Sequence, residues 1–541
     1  MTMREETRPV AEPEIGRVPA DDLPQRWYVI GILAAFVAGA AIRLYYVFAG
    51  HFPLHDGGLF LVMIRDLQAA NYHLPEFTSY NGGDIPYAYP PLGFYVAAVL
   101  DRLTPLSALD VLHYLPAAVN LATIFALLLL ARTVLASRLQ VVLATFAFAV
   151  LPRSTMWMIM GGGLTRSFGF LFAILALQQA YLLFTRQERR YLPLSIAFSA
   201  LTVLSHTEMA VFLAASLVIM LAFYCRSRDS IVHAAILAAG TLALSAPWWA
   251  TLLARHGLDV LLAPAGSRPI LEWETLNTLG RFDITNEIFF PVLTMVGILG
   301  VIACLAQRRY FLPVWLLLIG VPAPWIIATQ AVVPLALLIA IGITDLLLPA
   351  LGGLAGRISG DGEGLRAPQV TMLQGGVLAF ILIYTMATAI AVPPPILNTI
   401  QERQRTQLAW LGQNTPEGSR ILVIEEQAWW ADKVSEWLPA LSNRISVATP
   451  QGLEWTRRGA FDDMIEAYED AQKCAYQDVA CLQDWKAKTG IAFTYLYLPK
   501  WKINDPDHDK NCCYALRQSL FTTPGVRIVY DGPAATIAII P

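Results

Sequence analysis

The fold is decided by a stretch near the start of the chain, YVIGILAAFVAGAAIRLYYVFA (residues 28–49), and by the polar segment after it, GHFPLHDGG (residues 50–58). A bilayer core of ~30 Å requires about 20 consecutive apolar residues in a helix, and the first stretch meets that length. It is longer than the apolar core of a signal peptide, and a polar leader precedes it. We therefore predict a membrane-spanning helix that leads into a polar loop at one membrane face.

The composition of the whole chain also indicates a membrane protein. Of the 541 residues, 56% are hydrophobic and 15% are charged, whereas soluble domains carry about 25% charged residues. The mean hydropathy is +0.51. These values exclude a soluble enzyme, a disordered chain and a fibre, and the net charge of −3 argues against nucleic-acid binding. Lys occurs only from Lys433 onwards, so the tail differs in composition from the part before it.

Eleven apolar runs bounded by Arg, Pro or Gly clusters predict eleven spans. They cover residues 28–49, 109–132, 139–158, 166–184, 191–206, 208–224, 231–252, 286–305, 310–328, 330–350 and 371–391. The segment YPPLGFYVAAVLDRL (residues 89–103) is short, and we predict a helix lying on the membrane surface there. Thirteen spans is the alternative count.

The distribution of Arg predicts the orientation of these spans. Arg residues precede the first span and follow every even-numbered one, as in the RQERR run at residues 186–190. Because basic loops stay in the cytoplasm, we predict a cytoplasmic N-terminal segment at residues 1–27. A membrane domain follows at 28–391, with a first outer loop at 50–107, and residues 392–541 form an extracytoplasmic domain.

The tail is predicted to be a small α/β domain. A polar helix begins near Gln401, a Trp-rich helix covers 426–441, and β-branched or aromatic runs predict strands at 420–424, 445–450, 493–499, 527–531 and 535–540. Four Cys in the tail, Cys474, Cys481, Cys512 and Cys513, are compatible with two disulfides in an oxidising compartment. Free thiols or a metal site are the alternatives. The acidic run DPDHD at 505–509 lacks the Gly and Glu of a calcium loop and is interpreted as a solvated turn.

The first outer loop carries the strongest candidate for chemistry, Asp56. Asp is a favoured helix N-cap, and a helical run starts directly after it, which gives Asp56 a purely structural interpretation. A carboxylate beside an aromatic wall at the membrane surface is also what a proton-abstracting site requires. The polar and aromatic residues that share this loop with Asp56 are His51, His55, Asp84, Tyr87 and Tyr89.

An acidic residue soon after span one, followed by a Tyr and PPLG segment leading into a surface helix, resembles the GT-C glycosyltransferases. This superfamily includes oligosaccharyltransferase catalytic subunits, protein mannosyltransferases and aminoarabinose transferases. The predicted architecture and the tail segments EWLPALSNR (436–444) and GLEW (452–455) are also similar to those of bacterial members.

The resemblance implies a sugar donor carried on a polyprenyl phosphate or pyrophosphate and an acceptor activated at the outer face. Asp56 matches the first-loop acid and would take the proton of the acceptor, with Asp84 as a metal ligand or supporting carboxylate. His55, Tyr87 and Tyr89 are further substrate-binding candidates. The second outer loop, MGGGLTRSFG (160–169), lacks the acid that many members place there. Two alternatives follow: a member without a metal, or one in which His55 and Asp84 bind a divalent cation, Mg or Mn.

Basic residues in the later outer loops are candidates for binding the donor phosphate. The GGG turn before Arg166 offers backbone N–H groups at a helix start together with one guanidinium, and Arg153 lies nearby in sequence. Arg166 also has a simple interpretation as a side chain that extends to the interface. His206 and Glu208 lie in a third outer turn, where they either bind the donor phosphate and the substrate, respectively, or form a helix-capping turn. Arg268, in the long fourth outer loop, is a further substrate-binding candidate.

Together these features predict an inverting glycosyltransferase of a prokaryotic plasma membrane that uses a lipid-linked sugar and a protein or glycan acceptor. Two rivals remain at this stage. An inactive GT-C-like scaffold is consistent with the missing acid, and a secondary transporter would show internal repeats and polar residues at mid-membrane. Arg43, within span one, is expected to pair with a carboxylate of the first loop.

Overall fold

The computed structural model describes residues 23–266, 284–287, 289–319, 327–358, 367–391, 397–500 and 512–541. Within these ranges the first two thirds of the chain is almost entirely helical. Its helices are α1 Gln25–Ala49, α2 Gly58–Ala69, α3 Leu92–Leu103, α4 Ala108–Val134, α5 Arg138–Val150, α6 Gly163–Arg186, α7 Leu192–Val203, α8 Thr207–Tyr224, α9 Arg228–His256, α10 Asp259–Leu262, α11 Val292–Ala306, α12 Phe311–Leu318, α13 Ile327–Gln330, α14 Val332–Ile341, α15 Leu348–Ile358 and α16 Ala367–Ala391. A π-helical turn, Gly342–Leu347, joins α14 to α15.

A helix lies within each of the eleven predicted spans. Seven of the helices in the described ranges are long and apolar enough to cross a membrane, namely Gln25–Ala49, Ala108–Val134, Gly163–Arg186, Thr207–Tyr224, Arg228–His256, Val332–Gly353 and Gln369–Ile390. The chain is thus a polytopic α-helical protein, and eleven spans stays a prediction.

The predicted span at 139–158 is wrong at its end. Helix α5 stops at Val150, and the chain continues as a short 3₁₀ turn, Pro152–Ser154. Pro152 disfavours helical backbone at Leu151, the residue before it, and Leu151 is extended with ψ 121°. The early end places Arg153 and Trp157 in the turns between α5 and α6 rather than inside a helix.

The loops that were predicted to be outside meet at one end of the bundle, which we call the loop end. Three hydrogen bonds tie the first loop to later turns: Gly161 N–H to the Leu54 carbonyl (3.0 Å), Leu92 N–H to the Leu204 carbonyl (2.9 Å), and the Arg255 guanidinium to the Leu74 carbonyl (2.8 Å). The Arg-containing turns join one another elsewhere, as where Gln140 and Gln307 donate to Asp345 (3.0 and 3.2 Å). These contacts bring the predicted outer loops together at one end of the bundle, and the alternation of sides read from Arg stays a prediction.

Arg43 does not pair with a carboxylate of the first loop, which corrects that prediction. It is fully buried between α1, α4 and α5. Its guanidinium donates to Asn120 Oδ1 (2.7 Å), to the carbonyls of Ala149 (2.7 Å) and Gly39 (3.2 Å), and to Ser154 Oγ (3.0 Å). Because a buried charge is costly unless it is hydrogen-bonded, Arg43 joins these helices to the turn after α5.

The first loop is compact. A two-residue hairpin, β1 Phe77–Thr78 with β2 Ile85–Pro86, lies between α2 and α3. Asp66 ties it to α2 by accepting hydrogen bonds from Thr78 Oγ1 (2.7 Å) and from Ser79 N–H (2.8 Å) and Oγ (2.6 Å). Helix α3, predicted as a surface helix, has twelve residues, and that length is too short for a span.

The tail forms a mixed five-stranded sheet with helices. Its helices are α17 Glu402–Asn414, α18 Lys433–Ser442, α19 Ala460–Gln472, α20 Val479–Thr489 and α21 Tyr514–Thr522, and its strands are β3 Arg420–Val423, β4 Ile445–Ser446, β5 Tyr495–Pro499, β6 Arg527–Asp531 and β7 Ala535–Ile539. The strand order is β4-β3-β5-β7-β6, with β3 parallel to β4 and β5, and β7 antiparallel to β5 and β6. All five predicted strands are present, and the Trp-rich helix is shorter than predicted because it begins at Lys433.

The two faces of the tail sheet have different neighbours. Because side chains alternate along a strand, Tyr495 and Tyr497 pack in one apolar core with the first loop, while Leu496 and Leu498 pack in another with the helices of the tail. The second core also contains the Cys residues, which form the pairs Cys474–Cys481 and Cys512–Cys513. The face with the tyrosines therefore attaches the tail to the membrane domain.

Candidate active site

Asp56 lies directly against the GGG turn of the second outer loop. Its Oδ1 accepts a hydrogen bond from Gly162 N–H at 2.8 Å. A Cβ on Gly161 would lie 1.9 Å from the Asp56 carbonyl oxygen, and one on Gly162 would lie 2.4 Å from Asp56 Oδ2. Only glycine therefore allows this close approach, which explains the use of the GGG run at this turn.

Asp56 does not cap helix α2, so its structural interpretation is wrong. The N-cap position is Gly57, and no local side chain caps it. Instead Glu436 of the tail reaches in, and its Oε1 accepts the N–H groups of Gly57 (3.2 Å) and Leu59 (3.0 Å). Glu436 therefore accepts the helix-start amides that an N-cap side chain would otherwise accept, and the Asp56 carboxylate is not needed for capping.

Glu436 is 2% exposed and lies close to Asp56. Burial, and then the Asp56 carboxylate, raise the pKa of Glu436 to about 8. Its Oε2 is buried and has no hydrogen-bond partner among the described residues. At neutral pH Glu436 is therefore largely protonated.

His55 is buried beside Asp56 and is held by the tail. Its Nε2 contacts the Trp430 carbonyl at 2.7 Å, and its own carbonyl accepts the indole N–H of Trp437 at 2.9 Å. Burial lowers the pKa of His55, the Asp56 charge opposes this, and Arg166 adds to the lowering. The backbone at His55 is left-handed, with φ 57°, and this turn directs the next residue towards the GGG turn.

Arg166, in the first turn of α6, is connected to His55 through Trp157. Its guanidinium is 5.4 Å from the centre of the Trp157 ring and 3.4 Å from the Trp157 carbonyl. Trp157 in turn packs edge-to-face with His55, with ring centres 6.4 Å apart. The side chain of Arg166 is half-buried rather than free in solvent.

The backbone amides of the GGG turn are already used, which corrects the prediction that they are free for a phosphate. Gly161 donates to Leu54, Gly162 to Asp56, and Gly163 to the Met160 carbonyl at 2.9 Å. The positive charge that would bind a donor phosphate must therefore come from side chains. Arg166 follows this turn in the first turn of α6, and Arg153 lies half-buried in the preceding Pro152–Ser154 turn.

His206 and Glu208 lie at the start of α8. His206 is buried against α6, where a Cβ on Gly169 would be 2.8 Å from its own Cβ. Its Nδ1 has no partner among the described residues. Helix α8 begins at Thr207 with Glu208 in its first turn, as predicted, but no side chain caps its start within the described residues. The Glu208 carbonyl accepts Gln330 Nε2 at 3.3 Å.

The two tyrosines of the first loop have different surroundings. Tyr87 is fully buried and donates to the Met63 carbonyl at 3.0 Å, which fixes the loop on α2. Tyr89 is half-buried, donates to the Glu454 carboxylate, and lies against Trp455 with ring centres 5.0 Å apart. Burial and Glu454 raise the pKa of Tyr89 well above its usual value.

Asp84 lies apart from these contacts. It is exposed next to the hairpin strand β2, and within the described ranges its side chain makes no hydrogen bond or ion pair. In the same ranges neither His55 nor Asp84 belongs to a group of three His, Cys, Asp or Glu whose ligand atoms converge; the group found is Glu426, Cys512 and Cys513. Arg268 lies outside the described residues.

Sequence reasoning did not assign roles to three residues that build this site. Glu436 and Glu454 lie in the tail segments that carry the family resemblance, and Trp157 lies in a predicted span. The separation between Glu436 and Gly57 is 379 residues, so no local pattern indicates the contact. The resemblance of the tail segments was the usable signal.

No protein-family model and no curated protein sequence matches the chain. Among solved structures, it is similar to the oligosaccharyltransferase AglB of Archaeoglobus fulgidus in complex with an inhibitory peptide and a dolichol-phosphate (TM-score 0.55, 14% identity, 87% of this chain and 69% of that one). It is also similar to the mycobacterial arabinofuranosyltransferase AftD (0.58, 18%, 97% and 40%). A third is ArnT of Cupriavidus metallidurans bound to undecaprenyl phosphate (0.51, 13%, 96% and 98%).

The chain therefore shares its fold with these three solved structures, and this is the fold that the sequence resemblance implies. At these identities the likeness concerns the fold, and the chemistry must be argued from the residues of this chain.

Proposed function

We propose that the chain is a glycosyltransferase that moves a sugar from a polyprenyl-phosphate-linked donor to a hydroxyl or amide acceptor. The observation that carries the proposal is the contact of Asp56 with the GGG turn, because it brings an acid with no capping role to the turn that presents Arg166. The solved structures of AglB and ArnT with dolichol-phosphate and undecaprenyl phosphate support the donor class.

Asp56 would act as the base. One of its oxygens is fixed by Gly162 N–H, which leaves Oδ2 to accept the proton of the acceptor. The acceptor oxygen or nitrogen then forms a bond to the anomeric carbon while the bond from that carbon to the phosphate oxygen breaks. Attack from the face opposite the leaving group gives inversion, and the polyprenyl phosphate leaves with the bonding electrons.

Arg166 would stabilise the negative charge that develops on the leaving phosphate. A fixed cation in a partly dry site stabilises such charge more strongly than it would in water. The stacking of Arg166 on Trp157 holds the guanidinium in place. Arg153 and His206 are proposed to lie around the same phosphate, and Tyr89 with Glu208 around the sugar.

The described residues do not fit a metal site built from three side chains at Asp56. Glu436 Oε1 is engaged by two amides, and Asp84 is exposed. A structure of the Archaeoglobus fulgidus enzyme was obtained with Zn and sulfate, so dependence on Mg or Mn is tested directly, but we derive no step from a metal.

The loop end would face outward at the plasma membrane. The Arg-containing turns lie away from the site, and basic loops favour the cytoplasm. The tail, with its two Cys pairs, would then lie in an oxidising compartment. A reporter fused after Pro541 and assayed in intact cells checks this orientation.

The test is transfer by the purified protein in lipid nanodiscs. Farnesyl-phosphate donors carrying arabinofuranose or mannose are incubated with hydroxyl-bearing acceptors, with and without EDTA. Transfer that is lost in Asp56→Asn supports the enzyme. Retained binding of undecaprenyl phosphate without transfer from any donor supports the scaffold, and substrate flux across sealed vesicles would identify a transporter.

A further inference from the structure

The tail enters the candidate site through the start of helix α18. Asp432 caps this helix by accepting Ser435 N–H at 2.8 Å, which places the next turn, with Glu436 and Trp437, against the first loop. Trp437 is fully buried and packs edge-to-face on Phe52, with ring centres 4.6 Å apart. The contact is thus part of a packed core rather than a surface touch.

Four hydrogen bonds from this turn and the chain before it fix the backbone on both sides of Asp56. Before Asp56, the His55 carbonyl accepts the Trp437 indole N–H (2.9 Å), and His55 N–H donates to the Asn398 carbonyl (2.9 Å). After Asp56, Glu436 Oε1 accepts the amides of Gly57 and Leu59. Asp56 itself makes no hydrogen bond to Glu436 or Trp437 in the described structure.

The fit leaves no spare space. A Cβ on Gly58 would lie 2.6 Å from the Glu436 carbonyl oxygen and 3.1 Å from its Oε2. That carbonyl oxygen also accepts the hydroxyl of Tyr80, at 2.7 Å. The carboxylate, the helix start and the hairpin turn of the first loop are therefore locked against one another.

We propose that Glu436 is a positioning residue of the transfer reaction, which holds Asp56 towards the GGG turn by capping α2 from the tail. The proposal rests on the proposed function. It makes the tail an integral part of the site, because without this contact two helix-start amides are buried without an acceptor and the segment carrying Asp56 loses one of its anchors.

Two substitutions of Glu436 separate position from charge. Glu436→Gln keeps an oxygen that accepts the two amides, whereas Glu436→Leu removes the acceptor at similar volume. Glu469→Leu is the matched control, because Glu469 is an exposed glutamate on α19 of the same tail. Each variant is prepared as the full chain in nanodiscs.

Two measurements are made on these variants. The first is kcat and KM for the farnesyl-phosphate donor that the wild-type protein uses. We expect kcat to fall about 100-fold in Glu436→Leu, as for a misplaced catalytic group, with KM within about twofold and with recovery in Glu436→Gln. The second is hydrogen exchange of the peptide covering residues 55–61, which should lose protection in Glu436→Leu only.

An unchanged kcat in Glu436→Leu, or a Glu436→Gln variant as slow as Glu436→Leu, would overturn the inference. If no donor is used by the wild-type protein, the proposed function fails, while the exchange experiment still decides on the anchoring. If Glu436→Leu does not fold, Trp437→Phe replaces it, because it keeps an aromatic ring while removing the indole N–H donated to His55. A rate and exchange pattern equal to wild type in that variant would then count against the inference.

Discussion

The first loop contains two groups of one Asp and two Gly whose composition is the same and whose surroundings are opposite. DGG at residues 56–58 lies under the tail and against the GGG turn, and a Cβ on Gly58 would lie 2.6 Å from the Glu436 carbonyl oxygen. GGD at residues 82–84 lies at a hairpin, where a Cβ on Gly83 would have one neighbour, at 4.0 Å. The comparison teaches that distant contacts, not the local residues, make one carboxylate a candidate base.

The two carboxylates should therefore differ most when each loses its charge. We expect Asp56→Asn to lower kcat about 1,000-fold, since general-base catalysis contributes roughly 10²–10⁴, and Asp84→Asn to stay within about twofold. Both are measured as initial transfer rates, with hydrogen exchange to verify folding. Equal losses in the two variants would break the comparison and return Asp84 to the site.

Arg166 should show the next largest effect, because it stacks on Trp157, which packs against His55, the neighbour of Asp56. Arg166→Ala is expected to lower kcat/KM for the donor about 100-fold, as for the loss of one group that stabilises developing charge. Arg166→Lys should recover only part of this loss, because the Lys ammonium keeps the charge but lacks the planar group that stacks on Trp157. Arg457→Ala, at an exposed cation of the tail, is the control. Undecaprenyl phosphate binding that Arg166→Ala leaves unchanged would remove the phosphate role.

The glycines of the GGG turn allow a steric test of the same contact. Gly162 has ordinary helical backbone angles, so Gly162→Ala strains only the contact with Asp56 Oδ2. We expect a loss of about tenfold in kcat, within the range seen for small misplacements. Gly376→Ala on α16, where a Cβ meets nothing within 4 Å, should be neutral. Full activity in Gly162→Ala would mean that Asp56 works without this contact.

Much of the fold could be predicted from the sequence, because span length and Arg distribution are local signals. Every predicted span contains a helix, and the strand at 527–531 has the predicted bounds. The end of the third span was wrong because Pro152 acts on the residue before it. The capping of α2 could not be predicted, since its acceptor, Glu436, is far away in sequence and becomes a neighbour only through packing of the tail sheet.

Glu436 should also make the stability and the transfer rate depend on pH. Its pKa of about 8 lies above the usual value for Glu, so the folded state binds this proton more tightly than the unfolded state does. The resulting stability is complete below the usual Glu pKa and is lost as the pH rises through about 8. The titratable groups that contact or influence Glu436 are Asp56, whose charge raises its pKa, and Tyr80, which donates to its backbone carbonyl.

We expect the transfer rate to fall about threefold between pH 7 and pH 8.3, as the neutral fraction of a single group of this pKa falls. Glu436→Gln, which resembles the neutral acid, should remove this part of the profile and flatten Tm over the same range. Asp84→Asn should keep both. A wild-type profile that persists in Glu436→Gln would assign the titration to another group.

The smallest effect on the rate should come from the opposite face of the tail sheet. Cys474 and Cys481 are seven residues apart and lie in the core that faces the helices of the tail rather than the first loop. Closing so short a loop stabilises the folded state by about 2–3 kcal/mol, so the double variant Cys474→Ser with Cys481→Ser should unfold at a lower temperature. Its transfer rate at 20 °C should equal that of wild type, because Trp437 belongs to the other core and Glu436 contacts the first loop. A slower rate without unfolding would mean that the two faces of the sheet are coupled, and the anchoring of Asp56 would then depend on the whole tail rather than on one turn of α18.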